Sequence, residues 1–233
     1  MKLSVIIPTF NEEATIEPLL NKLLLTELPV ERELIVIDDH STDRTYLIER
    51  QVRRSSASVP IRILRNRANQ GKGVCIRQGL KHATGDLVIV QDGDLEYEPQ
   101  DIPKLLRPVL SEAAQVVFGS RFLLRRWPEG MAWPHYLANR LLTWTANGLY
   151  GCHLTDLYSG YKLFPRELLN QFDIRAERFE FEPEIVAKLT RRGIGIVEVP
   201  IDYHGRTKAQ GKKIALRDFW IGLRTLLWHR FRR

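Results

Sequence analysis

Only two cysteines, Cys75 and Cys152, occur in 233 residues. They build no disulfide framework and their spacing fits no zinc pattern, so both read as small buried or half-buried residues in a reducing compartment. Long apolar runs are missing as well. No window approaches the roughly 18 uninterrupted apolar residues of a spanning helix, so any membrane contact is expected to be peripheral. After Lys2 a short apolar stretch runs at once into Asn11-Glu12-Glu13, without the length or cleavage region of a secretory signal. No G-x-G-x-x-G follows the first apolar run, and G-x-x-x-x-G-K-[ST] and G-x-S-x-G are absent throughout. These gaps exclude the usual dinucleotide and P-loop phosphate cradles and the serine-hydrolase elbow.

What is present is an ordinary core and an uneven charge. Hydrophobic residues make up 44% of the chain, enough for one substantial α/β core. The net charge is +7, yet residues 206–233 carry nine Lys or Arg against one acid, Asp218. The basic character therefore belongs to the tail, which points to a polyanionic partner, either nucleic acid or an anionic membrane surface. Short β-rich runs (LSVIIP, ELIVID, IRILRN, DLVIVQ, QVVFGS) alternate with helix-length segments such as Glu12 to Leu25 and Asp43 to Arg54. That alternation predicts a mostly parallel sheet covered by helices, with right-handed crossovers. Later segments read as a strand at SGYKLF, helices near Pro165–Phe172 and 179–192, a strand at GIVEVPIDY, and a last helix from about Ile214. A unit over 1–205, followed by a basic loop and amphipathic helix over 206–233, is the expected organisation.

In open α/β sheets ligands bind beyond the carboxyl ends of the strands, and here those ends are polar. PTFNEE, DDHSTD, NRANQGKG and DGDLE follow the first four runs. Each could be only turn and cap residues. So many acids on one rim, however, repel one another unless a cation or hydrogen-bond donors compensate, which favours a ligand site. Asp92 and Asp94 flank Gly93 just after the apolar run Leu87–Val90. Two residues apart, their carboxylates share a face, and Gly93 lets both turn toward one ion. Hard oxygen ligands suit Mg²⁺ or Mn²⁺, which typically bridge carboxylates to a substrate diphosphate.

In order, SVIIPTFNEE, IVIDDHSTDRT, NQGKGVCIRQGLKHATGD, VQDGDLEYEPQDIPKLL, FGSRF and YSGYKLFPRELL resemble glycosyltransferase family 2, inverting enzymes of the GT-A fold. Within it they are most similar to the dolichol-phosphate and polyprenyl-phosphate mannosyl- and glucosyltransferases. The resemblance implies a nucleotide-sugar pocket lined by Pro8, Thr9, Asn11, Glu12, Asp38, Asp39, Lys72 and Gly93. It implies that Asp92 and Asp94, the DXD motif, hold the metal and donor diphosphate, with Glu96 where relatives often carry Gln as a further ligand. Arg121 matches the arginine facing the acceptor phosphate. His135 and Asn139 stand where relatives commonly place Arg and Ser. The loop YHGRTKAQGKKI is similar to a basic loop in which Arg206, Lys212 and Lys213 close over the diphosphate; Gln210 replaces a common Glu.

The implied reaction moves mannose or glucose from GDP-mannose or UDP-glucose to a polyprenyl or dolichyl phosphate, at the cytoplasmic face of a membrane. A phosphate monoester, with its second pKa near about 6, is largely dianionic at neutral pH and needs positioning cations rather than a general base. Ile214, Leu216, Phe219, Trp220, Leu223, Leu226, Leu227 and Phe231 recur at helical spacing among basic residues, the pattern of an interfacial helix; packing on the domain is the commoner use of such a face. The segment MAWPHYLANRLLTWTANGLYG is a second apolar candidate, for the acceptor entrance or the core. A hydroxyl acceptor would instead call on Glu180 or Glu182 as base. Nucleic-acid binding is disfavoured because an acidic rim repels phosphate backbones. A nucleotidyltransferase would begin with a Gly-rich loop, which PTFNEE is not.

Overall fold

Lys2–Thr9 (β1) buries both faces, as its near-continuous apolar sequence requires of a central parallel strand. Its residues divide by alternation. Ile6 enters one core layer, while Leu3, Val5 and Ile7 enter the other. The computed structural model describes residues 1–56, 58–206 and 216–232.

Around β1 the strands are β2 (Glu31–Asp38), β3 (Ile61–Arg65), β4 (Leu87–Val90), β5 (Val116–Ser120), β6 (Lys162–Pro165) and β7 (Ile196–Pro200). They form one sheet in the order β3-β2-β1-β4-β6-β5-β7. Strand β6 runs antiparallel to β4 and β5, and the other pairings are parallel. The helices are α1 (Ile16–Leu25), α2 (Thr45–Ser55), α3 (Lys72–His82), α4 (Ile102–Leu110), α5 (Trp133–Tyr150), α6 (Arg166–Asn170), α7 (Phe181–Arg191) and α8 (Leu216–Phe231). One core layer draws on α1, α2 and α4, and the other on α3, α5, α7 and α8.

Helix α1 begins four residues later than expected. Glu12 to Thr15 form a turn in which the Thr15 and Ile16 N–H groups both donate to Glu12 O. Asn11, at φ 52°, turns the chain out of β1. Asp43 accepts from the Thr45 N–H at 3.0 Å, a side-chain contact at the head of α2.

Helix α8 is docked on the domain. Leu226 is fully buried, Phe219 and Leu223 pack on the same layer, and the Tyr150 hydroxyl donates to Leu226 O at 2.6 Å. Arg191 donates to His229 O and Arg232 O, satisfying carbonyls at the helix end. The expected apolar face is thus split, because Trp220, Leu227 and Phe231 are exposed. Ile214 lies outside the described residues. Among the described residues no helix is long and apolar enough to cross a membrane.

Candidate active site

The parallel registers align Thr9 with Asp38 and Asp38 with Arg65, so the loops after β1, β2 and β3 leave along one edge. With β4 they border a cavity of about 1120 Å³. Pro8, Thr9, Glu12, Asp39, Lys72, Asp92, Gly93, Asp94, Glu96, Arg121, His135, Asn139 and Arg206 all line it. The structure brings these sequence-predicted residues together.

Asp38 and Asn11 are exceptions. Asp38 ends β2, so its side chain points opposite to that of Asp39. It is fully buried, paired with Arg65 Nε at 2.9 Å, and does not line the cavity. Asn11 Oδ1 accepts from the Thr42 N–H at 2.8 Å and ties two loops together away from the cavity lining. Asp39 is the member of the pair that reaches the wall. It accepts from Asn66 Nδ2 (2.7 Å), Gln70 N (2.9 Å) and Gly71 N (2.7 Å), pinning the loop before α3. Gly71 sits at φ 96°, and a Cβ there would meet Glu177 O at 2.4 Å, so only glycine allows this turn.

The three acids after β4 are held separately. Lys72, at the start of α3, donates to Asp92 at 2.7 Å and to Glu182 at 2.9 Å. Burial opposes its charge, but the two carboxylates outweigh burial and hold the ammonium above its usual range. Asp94 Oδ2 accepts from Arg206 Nη2 at 2.8 Å, and Arg206 Nη1 reaches Glu12 Oε2 at 2.8 Å. Glu96 accepts from the Tyr203 hydroxyl at 3.1 Å and the Arg206 N–H at 2.9 Å. The expected metal set of Asp92, Asp94 and Glu96 is therefore not assembled, and among the described residues no group of three or more His, Cys, Asp or Glu is placed to hold a metal. Glu96 is diverted because it anchors the backbone leading into the basic loop. Asp94 is nonetheless disfavoured as an anion. Burial first, then the Asp92 and Glu96 carboxylates, push it from 3.8 up to about 7 despite Arg206. Two hard-oxygen carboxylates two residues apart, crowded by further acids, fit Mg²⁺ or Mn²⁺. Asp92 also depends on Gly160, where a Cβ would meet Asp92 Oδ2 at 2.3 Å.

A second charged group borders the same cavity. Arg121 is buried and forked onto Asp156, Nε to Oδ2 at 2.6 Å and Nη2 to Oδ1 at 2.7 Å. Burial works against both charges. The pairing overcomes it, holding Arg121 well above and Asp156 below their ordinary values. Asn139 Nδ2 donates to Asp156 Oδ1 at 2.7 Å, and the Arg121 N–H completes the set at 3.1 Å. Asn139, expected to contact an acceptor phosphate, instead commits its amide nitrogen to Asp156. His135 stands one turn earlier on the same cavity-facing side of α5.

Sequence reasoning missed Asp156, Asp218 and Phe219. Asp156 lies in an irregular loop without periodicity, although it stands just before the quoted YSGYKLF. Asp218 and Phe219 line the cavity from α8; the lone acid in a basic tail was the available signal. Of the two acids suggested as bases, Glu182 lines the cavity, whereas Glu180 does not and accepts from the Glu177 N–H at 2.7 Å. Lys212, Lys213 and Gln210 lie outside the described residues.

Comparison with known proteins agrees with this architecture. The chain is 29% identical over 92% of its length to a dolichol-phosphate mannosyltransferase of Pyrococcus furiosus, covering 61% of that protein. It is 28% identical over 95% of its length to a dodecaprenyl-phosphate galacturonate synthase of Rhizobium johnstonii, covering 64%. The chain thus spans less than two thirds of the length of these curated relatives. Glucosyl-3-phosphoglycerate synthase of Mycobacterium tuberculosis, in complex with Mn²⁺, UDP-glucose and phosphoglyceric acid, superposes with a TM-score of 0.72 at 25% identity, over 98% of this chain and 79% of that one. Its complex with phosphoglyceric acid gives a TM-score of 0.74 over 98% and 80%. The helix-flanked, mostly parallel sheet is the GT-A fold, and the profile of glycosyl transferase family 2 matches residues 4–172. By that match over most of its length, the chain belongs to glycosyl transferase family 2.

Proposed function

We propose that the chain transfers a hexosyl group from a nucleotide diphosphate sugar to a polyprenyl phosphate, with inversion. One observation carries the reading: one cavity is bordered both by the acidic Asp92-Gly93-Asp94 rim and by Ala138 and Leu142 of α5 and Phe219 of α8, two helices that also expose tryptophans on their surface. His135, Ala138, Asn139 and Leu142 of α5 line the cavity, while Trp133, Leu137, Leu141 and Trp144 of the same helix face outward. Trp133 is 62% and Trp144 57% exposed; on α8, Trp220 is 62% and Trp228 45% exposed. Outward tryptophans beside Arg140, Arg217, Arg224 and Arg230 match the chemistry of an anionic lipid interface. A polyprenyl chain could then lie against Ala138, Leu142 and Phe219 with its phosphate inside.

In this reading an acceptor phosphate oxygen attacks the anomeric carbon as the bond to the nucleotide diphosphate breaks. Asp92 and Asp94 would hold Mg²⁺ or Mn²⁺, which supplies charge stabilisation to the departing diphosphate. Arg206 offers a second countercharge on the same side. Arg121, partly neutralised by Asp156, can orient a phosphate dianion without quenching it as a nucleophile. The names of the curated relatives favour a lipid phosphate and either a hexose or a uronate; the solved neighbours favour a small hydroxyl acceptor as the second reading.

The test is transfer from radiolabelled GDP-mannose and UDP-glucose to a short-chain polyprenyl phosphate with Mn²⁺ or Mg²⁺. Label in the lipid phase, lost with EDTA, is the expected result; transfer only to phosphoglycerate or another hydroxyl compound would establish the second reading. Truncation before α8 is a poor probe of membrane contact, since it uncovers the core around Leu226. A Trp144→Ala, Trp228→Ala double variant is the better one. It should fold normally and lose at least about ten-fold in affinity for anionic vesicles, each buried aromatic contributing on the order of 1–3 kcal/mol. Unchanged sedimentation with vesicles would remove this surface from the proposal.

A further inference from the structure

Glu182, at the start of α7, is only 3% exposed, yet it lines the cavity. Its Oε1 accepts from Lys72 Nζ at 2.9 Å, whereas Oε2 is buried without a hydrogen-bond partner among the described residues. A buried carboxylate oxygen left without a donor is costly, so such an atom in a cavity wall marks where a ligand donates. The donor is constrained by what stands nearby. The ammonium that holds Oε1 also holds Asp92 at 2.7 Å, so Glu182 lies one lysine away from the carboxylate that faces the donor diphosphate. The group bonded to that diphosphate in a nucleotide sugar is the sugar ring, and what a sugar ring donates is hydroxyl protons.

Resting on the transferase reading above, we infer that Glu182 binds a hydroxyl of the donor sugar through Oε2 and selects neutral hexoses against hexuronates. The carboxylate is acceptor-only. A hydroxyl satisfies it, while a uronate group at or beside the same position brings no proton and adds a third negative charge beside Asp92 and Glu182, which already share Lys72. A site with a buried polar group left unmatched rejects a ligand far more strongly than one that merely fits poorly. Lys72 is then a positioning residue, fixing the spacing between the carboxylate facing the diphosphate and the one facing the sugar.

The experiment compares the full chain with Glu182→Gln in two measurements. Calorimetry with Mn²⁺ reads affinity for bare UDP and GDP, and kcat/KM is read across GDP- and UDP-hexoses and the matching hexuronates. The expected result is nucleotide affinity within about two-fold of the unaltered chain. It is joined by a fall of about ten-fold or more in kcat/KM for the preferred hexose, carried by KM, and a reduced preference for hexose over hexuronate. Equal losses in bare-nucleotide and sugar-nucleotide binding would reduce Glu182 to a support for Lys72 and overturn the inference. An unchanged hexose-to-hexuronate ratio would overturn it too, as would a fall in kcat with KM unaltered and a shifted pH profile, which would make Glu182 a general base. If the unaltered chain bound neither UDP nor GDP, the transferase reading would fail first, visibly in calorimetry before any variant was compared.

Discussion

An Asp94→Asn variant is expected to fold normally and to turn over about 10³-fold more slowly, the scale on which removing one preorganised charge contact at a reacting group is felt. Asn is isosteric and keeps one acceptor, enough for Arg206 at the cost of the Glu96 N–H that Asp94 Oδ1 takes at 3.1 Å, so the side chain still fits its place. What disappears is the carboxylate, crowded by further acids, that is assigned to the cation. The same residue makes a prediction about pH in the unaltered chain. Its value in the folded protein is raised to about 7 from 3.8, so between those values the folded state holds a proton that the unfolded chain has released. The contribution of Asp94 to the stability of the metal-free protein is therefore lost as pH rises through this window. Mn²⁺ can take over the role of the proton, and the rise in melting temperature on adding Mn²⁺ should be larger at pH 8 than at pH 5. In Asp94→Asn that pH dependence should vanish. A Mn²⁺ effect identical at both pH values, or normal activity in the variant, would refute the assignment of Asp94 to the metal.

Asp156→Ala is expected to have the largest effect on stability. The change strands the buried Arg121 guanidinium, which donates two hydrogen bonds to this one carboxylate, and leaves Asn139 Nδ2 without its acceptor. Breaking a buried pair from one side costs about 3–5 kcal/mol, a large fraction of a typical folding free energy. Urea denaturation should show the midpoint falling sharply. The paired variant Arg121→Met, Asp156→Leu should recover much of that loss while remaining inactive, because no charge is then left uncompensated. A single variant within about 1 kcal/mol of the unaltered chain would mean that water or relaxation reaches Arg121, and that the pair is not the closed unit described here.

Much of the half around Asp92 and Asp94 was legible because its signals are local. Apolar runs of strand length followed at once by polar clusters place β1 to β4 and their four loops, and the D-G-D spacing needs no tertiary information. Even the exclusion of Asp38 could have been read, since strand alternation sends neighbouring side chains to opposite faces and only one of Asp38 and Asp39 can reach a given wall. The half around Arg121 was less legible. Asp156 meets Arg121 across 35 residues from a loop without periodicity, and nothing in the local pattern of either residue names the other. The diversion of Glu96 depends on Tyr203 and Arg206, more than 100 residues away. Helix α8 reads from sequence as an amphipathic segment whose face could meet either lipid or protein; only the tertiary packing shows Leu226 taken by the core and Trp220 and Phe231 left outside.

The antiparallel strand β6 lies between β4 and β5. Because it alone reverses direction, β4 and β5 still point the same way, but their ends are set two strand spacings apart, roughly 10 Å. Asp92 and Asp94 belong to one side of that gap and Arg121 to the other. The two sides are laced across that gap by residues that lie further along the chain, since Arg206, beyond β7, reaches Glu12 and Asp94, and Glu182, on α7, shares Lys72 with Asp92. Substitutions confined to β5 and α5 would therefore reshape the Arg121 side while leaving Asp92 and Asp94 their partners.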